Sequence, residues 1–346
     1  MAALEALEVA ELSTAERKVS TGVDGASRLP VLDGVRAVAI SLVIIHHALF
    51  VFQFSLMLGH LGVSIFFVLS GFLITRVMLA DEERHGRLRI GRFYRRRALR
   101  ILPAFYFFLA AVWLLSALGG IAKPAPLEWI SSIFYFRNFV EGHWATGHIW
   151  SLSLEEQFYF LWPMLFVITR KFRVPLILSA AIAFTAYRGY WLYTHPVSWE
   201  IYIEPQFRLD TFLIGGAFAI SRPAWTRNLN GAFVLAAILL WFPLSYYPLT
   251  QTISTPVTAA LIGALICKLA DTPADPLTAA LSRRAPVLIG EFSYSLYLWQ
   301  QLFLGERLHW WALPALVMTA ACSYLLIERP FLRLKDRRQL PDEAVV

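Results

Sequence analysis

Ten apolar stretches, each near the length that crosses a bilayer, dominate this chain and fix what it can fold into. A spanning helix needs about 20 mostly apolar residues. Such runs occupy 36–53, 61–80, 98–118, 152–169, 174–193, 207–221, 230–247, 252–270, 286–304 and 309–327. The sixth is short and carries charge at its start. Of the 346 residues 58% are hydrophobic and 16% charged, against about 45–50% and 25% in a soluble domain. This excludes a disordered, collagen-like or ordinary soluble chain. The fold class expected is an all-α polytopic membrane protein of about ten transmembrane helices. One domain covers 31–332, flanked by cytoplasmic tails over 1–30 and 333–346. The first tail is polar and partly acidic and lacks the basic-then-apolar order of a signal peptide, so it reads as disordered or loosely helical. No small-residue cleavage site follows the first apolar run, which is expected to stay as an anchor. Cys267 and Cys322 sit in apolar runs and read neither as a disulfide framework nor as a zinc site.

The basic residues test this count, because cytoplasmic loops are enriched in Lys and Arg. Of the 31, 22 fall in the two tails and in alternate loops, the densest cluster running from Arg84 to Arg97. The other loops hold only Lys123, Arg137 and Arg307. Both termini are therefore placed inside, and the long loop 119–151 outside. That loop carries Trp129, Tyr135, Trp144 and Trp150, which suit the interface or a re-entrant cover. The bilayer of the cell (inner or plasma) membrane is thus one partner. Nucleic acid is not, since no Lys-rich stretch interleaves with exposed aromatics. No internal repeat is visible, which counts against an inverted-repeat transporter.

A charge at mid-membrane costs several kcal/mol, roughly 2.5–3.5 on insertion scales, so each one is a functional suspect. Arg36 and His47 are eleven residues apart. At 100° per residue that is within about 20° of three turns, which puts both on one face with His47 about 16 Å deeper. The plainer reading of His47 is interhelical hydrogen bonding. In the segment Gly147 to Tyr159, Ser153 and Glu156 have capping-box spacing, which explains Glu156 structurally. Glu155 has no such role; a carboxylate there can orient a His or accept a proton, or simply sit at the interface near water. The same segment contains His148. Arg97 and Arg100 precede or open the third apolar run. Topology explains most of that cluster, but a guanidinium pair three residues apart also fits phosphates. Arg208 and Asp210 open the sixth run, as a structural ion pair or part of a cavity. The small residues of the segment Gly62 to Gly71 suit close helix packing. Tyr294, Tyr297, Trp299 and Gln300 line a cavity or an aromatic belt.

Taken together these segments resemble the acyltransferase 3 family of membrane-bound O-acyltransferases. The matching segments are Leu32-Asp33-Gly34-Val35-Arg36 with His47, Gly62 to Ile74, and Arg97 to Arg100 with Pro103. Trp150 to Glu155 with Gln157-Phe158-Tyr159, Ser293 to Trp299, and Glu328-Arg329-Pro330 complete the set. The resemblance implies transfer of an acyl group, usually acetyl from acetyl-CoA, to a hydroxyl of a glycan or glycosylated small molecule, with no metal. It assigns the family's Arg-x10-His to Arg36 and His47, and its Arg-x-x-Arg to Arg97 and Arg100. It implies His47 and Glu155 as catalytic, Arg36, Arg97 and Arg100 as donor-binding, and His148, Arg208, Asp210 and Tyr294 as candidates for the acceptor or cavity. Many members end the ninth-helix motif in Leu-Trp-His, whereas this chain reads Leu298-Trp299-Gln300; Gln cannot act as a base. No esterase-like domain follows the tenth run, so the chain is expected to complete transfer itself or hand the acyl group to a separate extracytoplasmic partner. The rival class is a secondary transporter or flippase for a glycan or lipid, which has no need of the cytoplasmic Arg pair beside the Arg–His helix.

Overall fold

The computed structural model describes residues 29–49, 53–195, 200–246, 248–305 and 309–337. Arg17, Lys18, Arg28, Arg307, Arg338 and most of both expected tails lie outside the described residues. A helix lies over each of the ten apolar runs: α1 (Pro30–Ala48), α2 (Gln53–His85), α3 (Ile90–Ala117), α4 (Ile149–Ile168), α5 (Arg173–Thr194), α6 (Pro205–Ser221), α7 (Gly231–Trp241), α8 (Pro248–Asp271), α9 (Arg284–Phe303) and α10 (Ala312–Ser323). Among the described residues there is no strand. Five helices are long and apolar enough to cross a membrane by length and composition. The other runs are shorter or carry polar groups, such as Glu155 and Glu156 on α4 and Arg188 on α5, that turn toward the interior.

Local chemistry sets the helix ends. Pro30 opens α1 and Pro205 opens α6, where a missing N–H costs nothing. Asn230 caps α7, its Oδ1 accepting from Ala232 N at 3.0 Å. The early start of α1 corrects the expected boundary at 36. Asp33 falls in its first turn, and Arg36 NH1 lies 2.6 Å from the Asp33 carboxylate. At the other end, α10 passes through a π-helical turn, Tyr324–Glu328, into Arg329–Arg337. Helix thus extends beyond the boundary expected at 332.

Glycines let the central helices touch. A side chain at Gly71 would strike the Phe212 carbonyl of α6, and one at Gly215 the Val68 carbonyl of α2. Gly290 of α9 meets the Asp33 backbone of α1 in the same way. The packing role expected for the Gly62–Gly71 segment is therefore what the structure shows. Phe67, Phe158, Trp162 and Phe212 fill the interior, with Phe67 stacked on Phe212 at 4.3 Å between centroids. The outward faces are apolar as well: Trp113, Ile182, Phe233 and Leu240 are all well exposed. Exposed apolar side chains in such number are what a lipid-facing surface requires.

The loop 119–151 packs back against the helices that flank the site. It holds short helices at Pro126–Ile133 and Trp144–Gly147. Glu128 binds the His143 N–H at 2.7 Å, and Arg137 N–H reaches Ser153 Oγ at 3.2 Å. Trp144 Nε1 donates to the Gln301 carbonyl of α9 at 2.9 Å.

Candidate active site

Helices α1, α2, α3, α4 and α9 line an open cavity. Arg36 reaches it from α1, Ser70 from α2, Arg97 and Arg100 from α3, Glu155, Glu156 and Tyr159 from α4, and Tyr294 and Tyr297 from α9. Helical spacing delivers these groups: Arg97 and Arg100 are neighbours at i and i+3, Glu155 and Tyr159 at i and i+4. Five residues named from sequence, Arg36, Arg97, Arg100, Glu155 and Tyr294, therefore share one space.

The cavity is polar and its hydrogen-bonding capacity is incompletely used. Ser70 Oγ donates to Glu155 Oε1 at 2.7 Å. The Arg97 guanidinium sits 3.4 Å over the Tyr159 ring, with Nε 3.9 Å from Glu156 Oε1. That distance is an ion pair but not a hydrogen bond, and Arg97 Nε is buried without an acceptor. Arg100 has neither ion-pair nor hydrogen-bond partner among the described residues. Tyr294 OH donates to the Ile101 carbonyl at 3.1 Å.

His47 lies outside the cavity wall. α1 and α9 run parallel: Asp33 meets Gly290 and, further along, His47 meets Gln301. Arg36 shares the cavity with α9 residues and His47 meets Gln301 of α9 at another level, so the shared face expected of the pair is turned to α9. His47 Nδ1 binds the Val43 carbonyl at 2.9 Å, which fixes its proton there and leaves Nε2 as the lone-pair nitrogen. Gln301 Nε2 approaches that nitrogen at 3.2 Å. The other end of the same amide holds His148, with Oε1 3.0 Å from its backbone N and 2.8 Å from Nδ1. Trp144 packs edge-on against His47 at 5.6 Å. Tyr297 belongs to both levels: it lines the cavity, and its OH bonds Ser151 Oγ at 2.5 Å and the His148 carbonyl at 3.1 Å.

Several sequence expectations need correction. α4 begins at Ile149, so Ser153 and Glu156 lie inside the helix and form no capping box. The Ser153 hydroxyl serves Arg137 instead, and Glu156 faces Arg97. Glu155 was expected at the helix start; it sits in the second turn, where Ser70 rather than His47 meets its carboxylate. Asp210 lines no cavity. It pairs with Arg188 at 2.5 Å, both fully buried, so the ion pair is real but its cation is not Arg208. Arg208 instead lines a separate cavity of about 320 Å³ with His60, Ser64, Tyr202 and Gln251. His148 is in neither cavity wall. The groups that sequence reasoning passed over are Ser70, Tyr159 and Gln301. Ser70 was visible inside the Gly62–Gly71 segment but was taken with the packing residues. Gln301 carries no motif signal.

Comparison with known proteins agrees with this architecture. An acyltransferase domain family, Acyl_transf_3, matches residues 29–328; the chain belongs to that family and is a multi-pass membrane protein. It is 28% identical to the putative peptidoglycan O-acetyltransferase YrhL of Bacillus subtilis over 358 aligned positions, covering 87% of this chain and 54% of the relative. It is 29% identical to the peptidoglycan O-acetyltransferase OatA of Listeria monocytogenes, covering 78% and 48%. With the O-acetyltransferase OatA of Staphylococcus aureus it shares 27% identity, covering 87% and 57%. The chain thus spans about half the length of these curated relatives. No solved structure matches.

Proposed function

We propose that this protein is an integral-membrane O-acyltransferase that moves an acyl group, acetyl in the first instance, from cytoplasmic acyl-CoA to a hydroxyl of a glycan. The reading takes all ten helices as spans, with both termini inside. The observation that carries it is the cluster of Arg36, Arg97 and Arg100, three guanidiniums lining one cavity among membrane helices, of which Arg100 makes no hydrogen bond or close ion pair among the described residues. Three guanidiniums in one cavity favour an anionic ligand, and the phosphates of a donor answer them through charge-assisted bonds. In this assignment Arg36 and Arg100 face the phosphates of the donor, and Arg97 faces its thioester end. The names of the relatives support peptidoglycan as the glycan. They also leave room for a separate extracytoplasmic partner that receives the acyl group.

His47 takes the proton of the acceptor hydroxyl. Its Nδ1–H is occupied by Val43, so Nε2 is the atom available as base. Gln301 holds this nitrogen through its amide, and Tyr297 lines the donor cavity while bonding the His148 carbonyl. The test is turnover of labelled acetyl-CoA by the purified protein with a peptidoglycan-derived disaccharide. Acetylated sugar and free CoA are expected, and both disappear in His47→Ala at equal protein level. Glycan transport into vesicles without donor consumption would assign the protein to the transporter class instead.

A further inference from the structure

Ser70 is explained neither by helix packing nor by donor binding. Its neighbours in the same motif, Gly62 and Gly71, bring backbones together. Ser70 instead turns its hydroxyl into the cavity and hands its hydrogen bond to Glu155 Oε1 at 2.7 Å. Both side chains are partly accessible from the cavity rather than sealed in the core. A hydroxyl hydrogen-bonded to a carboxylate is the arrangement of an activated nucleophile and its base. The third component of an acyl-transfer site is a donor aimed where negative charge develops on the carbonyl oxygen. Arg97 Nε is such a donor: it is buried, it belongs to a residue of the cavity wall, and no protein acceptor satisfies it. A buried N–H of this kind is rare in a folded protein and calls for a ligand.

We propose that Ser70 is a covalent acyl carrier, so that transfer proceeds through an O-acyl-serine in the cavity. This deepens the acyltransferase reading and rests on it. In the first step Ser70 Oγ attacks the thioester carbonyl carbon and its proton passes to Glu155. The carbonyl oxygen gains negative charge beside Arg97 Nε. The C–S bond then breaks, and Glu155 returns the proton to the thiolate, which leaves as free CoA. In the second step the acceptor hydroxyl attacks the serine ester. His47, the base assigned to the acceptor, takes the hydroxyl proton, and that one proton is returned to Ser70 Oγ as the C–O bond to serine breaks. Atoms and charge balance without any further reactant. The intermediate also separates the two encounters in time, so that donor and acceptor need never occupy the site together.

The rival account of the Ser70–Glu155 bond is interhelical bonding between α2 and α4, a common use of Ser in membrane helices. The two accounts differ in what happens without an acceptor. The full chain in nanodiscs is incubated with acetyl-labelled acetyl-CoA alone, digested, and the peptides are weighed. One acetyl group on the peptide containing Ser70, with one equivalent of CoA released, is the expected result. Ser70→Ala removes the label, while a control of elution profile and unfolding midpoint shows it folded. Ser70→Cys keeps the shape and converts the adduct to a thioester, which neutral hydroxylamine releases. Label on His47 or any other residue, or label undiminished in Ser70→Ala, overturns the proposal. So does acetylated disaccharide formed at the normal rate by Ser70→Ala, which leaves the acyltransferase reading standing. If acetyl-CoA is not consumed even with the disaccharide present, that reading falls and the serine carrier with it.

Discussion

Two charged sites lie among the helices of this protein, and they are built in opposite ways. Between α5 and α6, Arg188 and Asp210 are almost completely inaccessible, at 1% and 0% side-chain exposure. Most of their hydrogen-bonding capacity is used: Arg188 donates to the Phe207 carbonyl at 2.6 Å and to Asp210 at 2.5 Å, and Thr211 N–H donates to the second carboxylate oxygen at 2.8 Å. Around the main cavity the reverse holds. Arg97 Nε has no acceptor, Arg100 makes no hydrogen bond or close ion pair among the described residues, and Glu155 is held by a hydroxyl. Charge inside a membrane protein is therefore not by itself a sign of chemistry. Unused hydrogen-bonding capacity facing a cavity is the better sign.

The largest effect is expected at the closed pair. Asp210→Ala strands the Arg188 cation, and losing one partner of a buried ion pair costs about 3–5 kcal/mol. The variant should show a much lower unfolding midpoint in detergent and poor accumulation; a normal midpoint would erase the contrast between the two sites. Next comes Gly71→Val, whose added side chain meets the Phe212 backbone. Overpacking of this kind costs about 1–3 kcal/mol, read in the same melting experiment. At the open site the same assay should register little. Arg100→Ala should fold normally and weaken acetyl-CoA binding about tenfold, the loss of roughly one charge-assisted bond. The smallest change is Tyr297→Phe, which removes the hydroxyl that joins Ser151 to the His148 carbonyl. It should cost about 1 kcal/mol of stability and alter turnover more than donor affinity; a shift confined to affinity would place Tyr297 with the donor instead.

Much of this was legible in the sequence wherever one helix carried the information. The eleven-residue spacing of Arg36 and His47 was enough to put both on one face of α1. The three-residue spacing of Arg97 and Arg100 was enough to bring them into one cavity. The glycines of α2 announced close packing before the partner, α6, was known. What the sequence could not supply were pairings between helices distant in the chain. Asp210 looked like the partner of Arg208 because they are neighbours, whereas the cation that reaches it, Arg188, comes from the preceding helix. Glu155 was open between orienting a His and accepting a proton, and nothing in the sequence pointed to its contact, Ser70, 85 residues away. The Ser153–Glu156 spacing was a true pattern in the wrong place, because the helix begins at Ile149 and the pattern falls inside it. Local periodicity fixes faces; only the fold says which faces meet.

The central claim is that the open cavity binds the acyl donor. Its most direct test is the affinity of the purified full chain for acetyl-CoA, measured in nanodiscs for the wild type and Arg100→Ala with equal unfolding midpoints. The account predicts saturable binding by the wild type and about tenfold weaker binding by the variant. Equal affinity, or no binding by either, would contradict it.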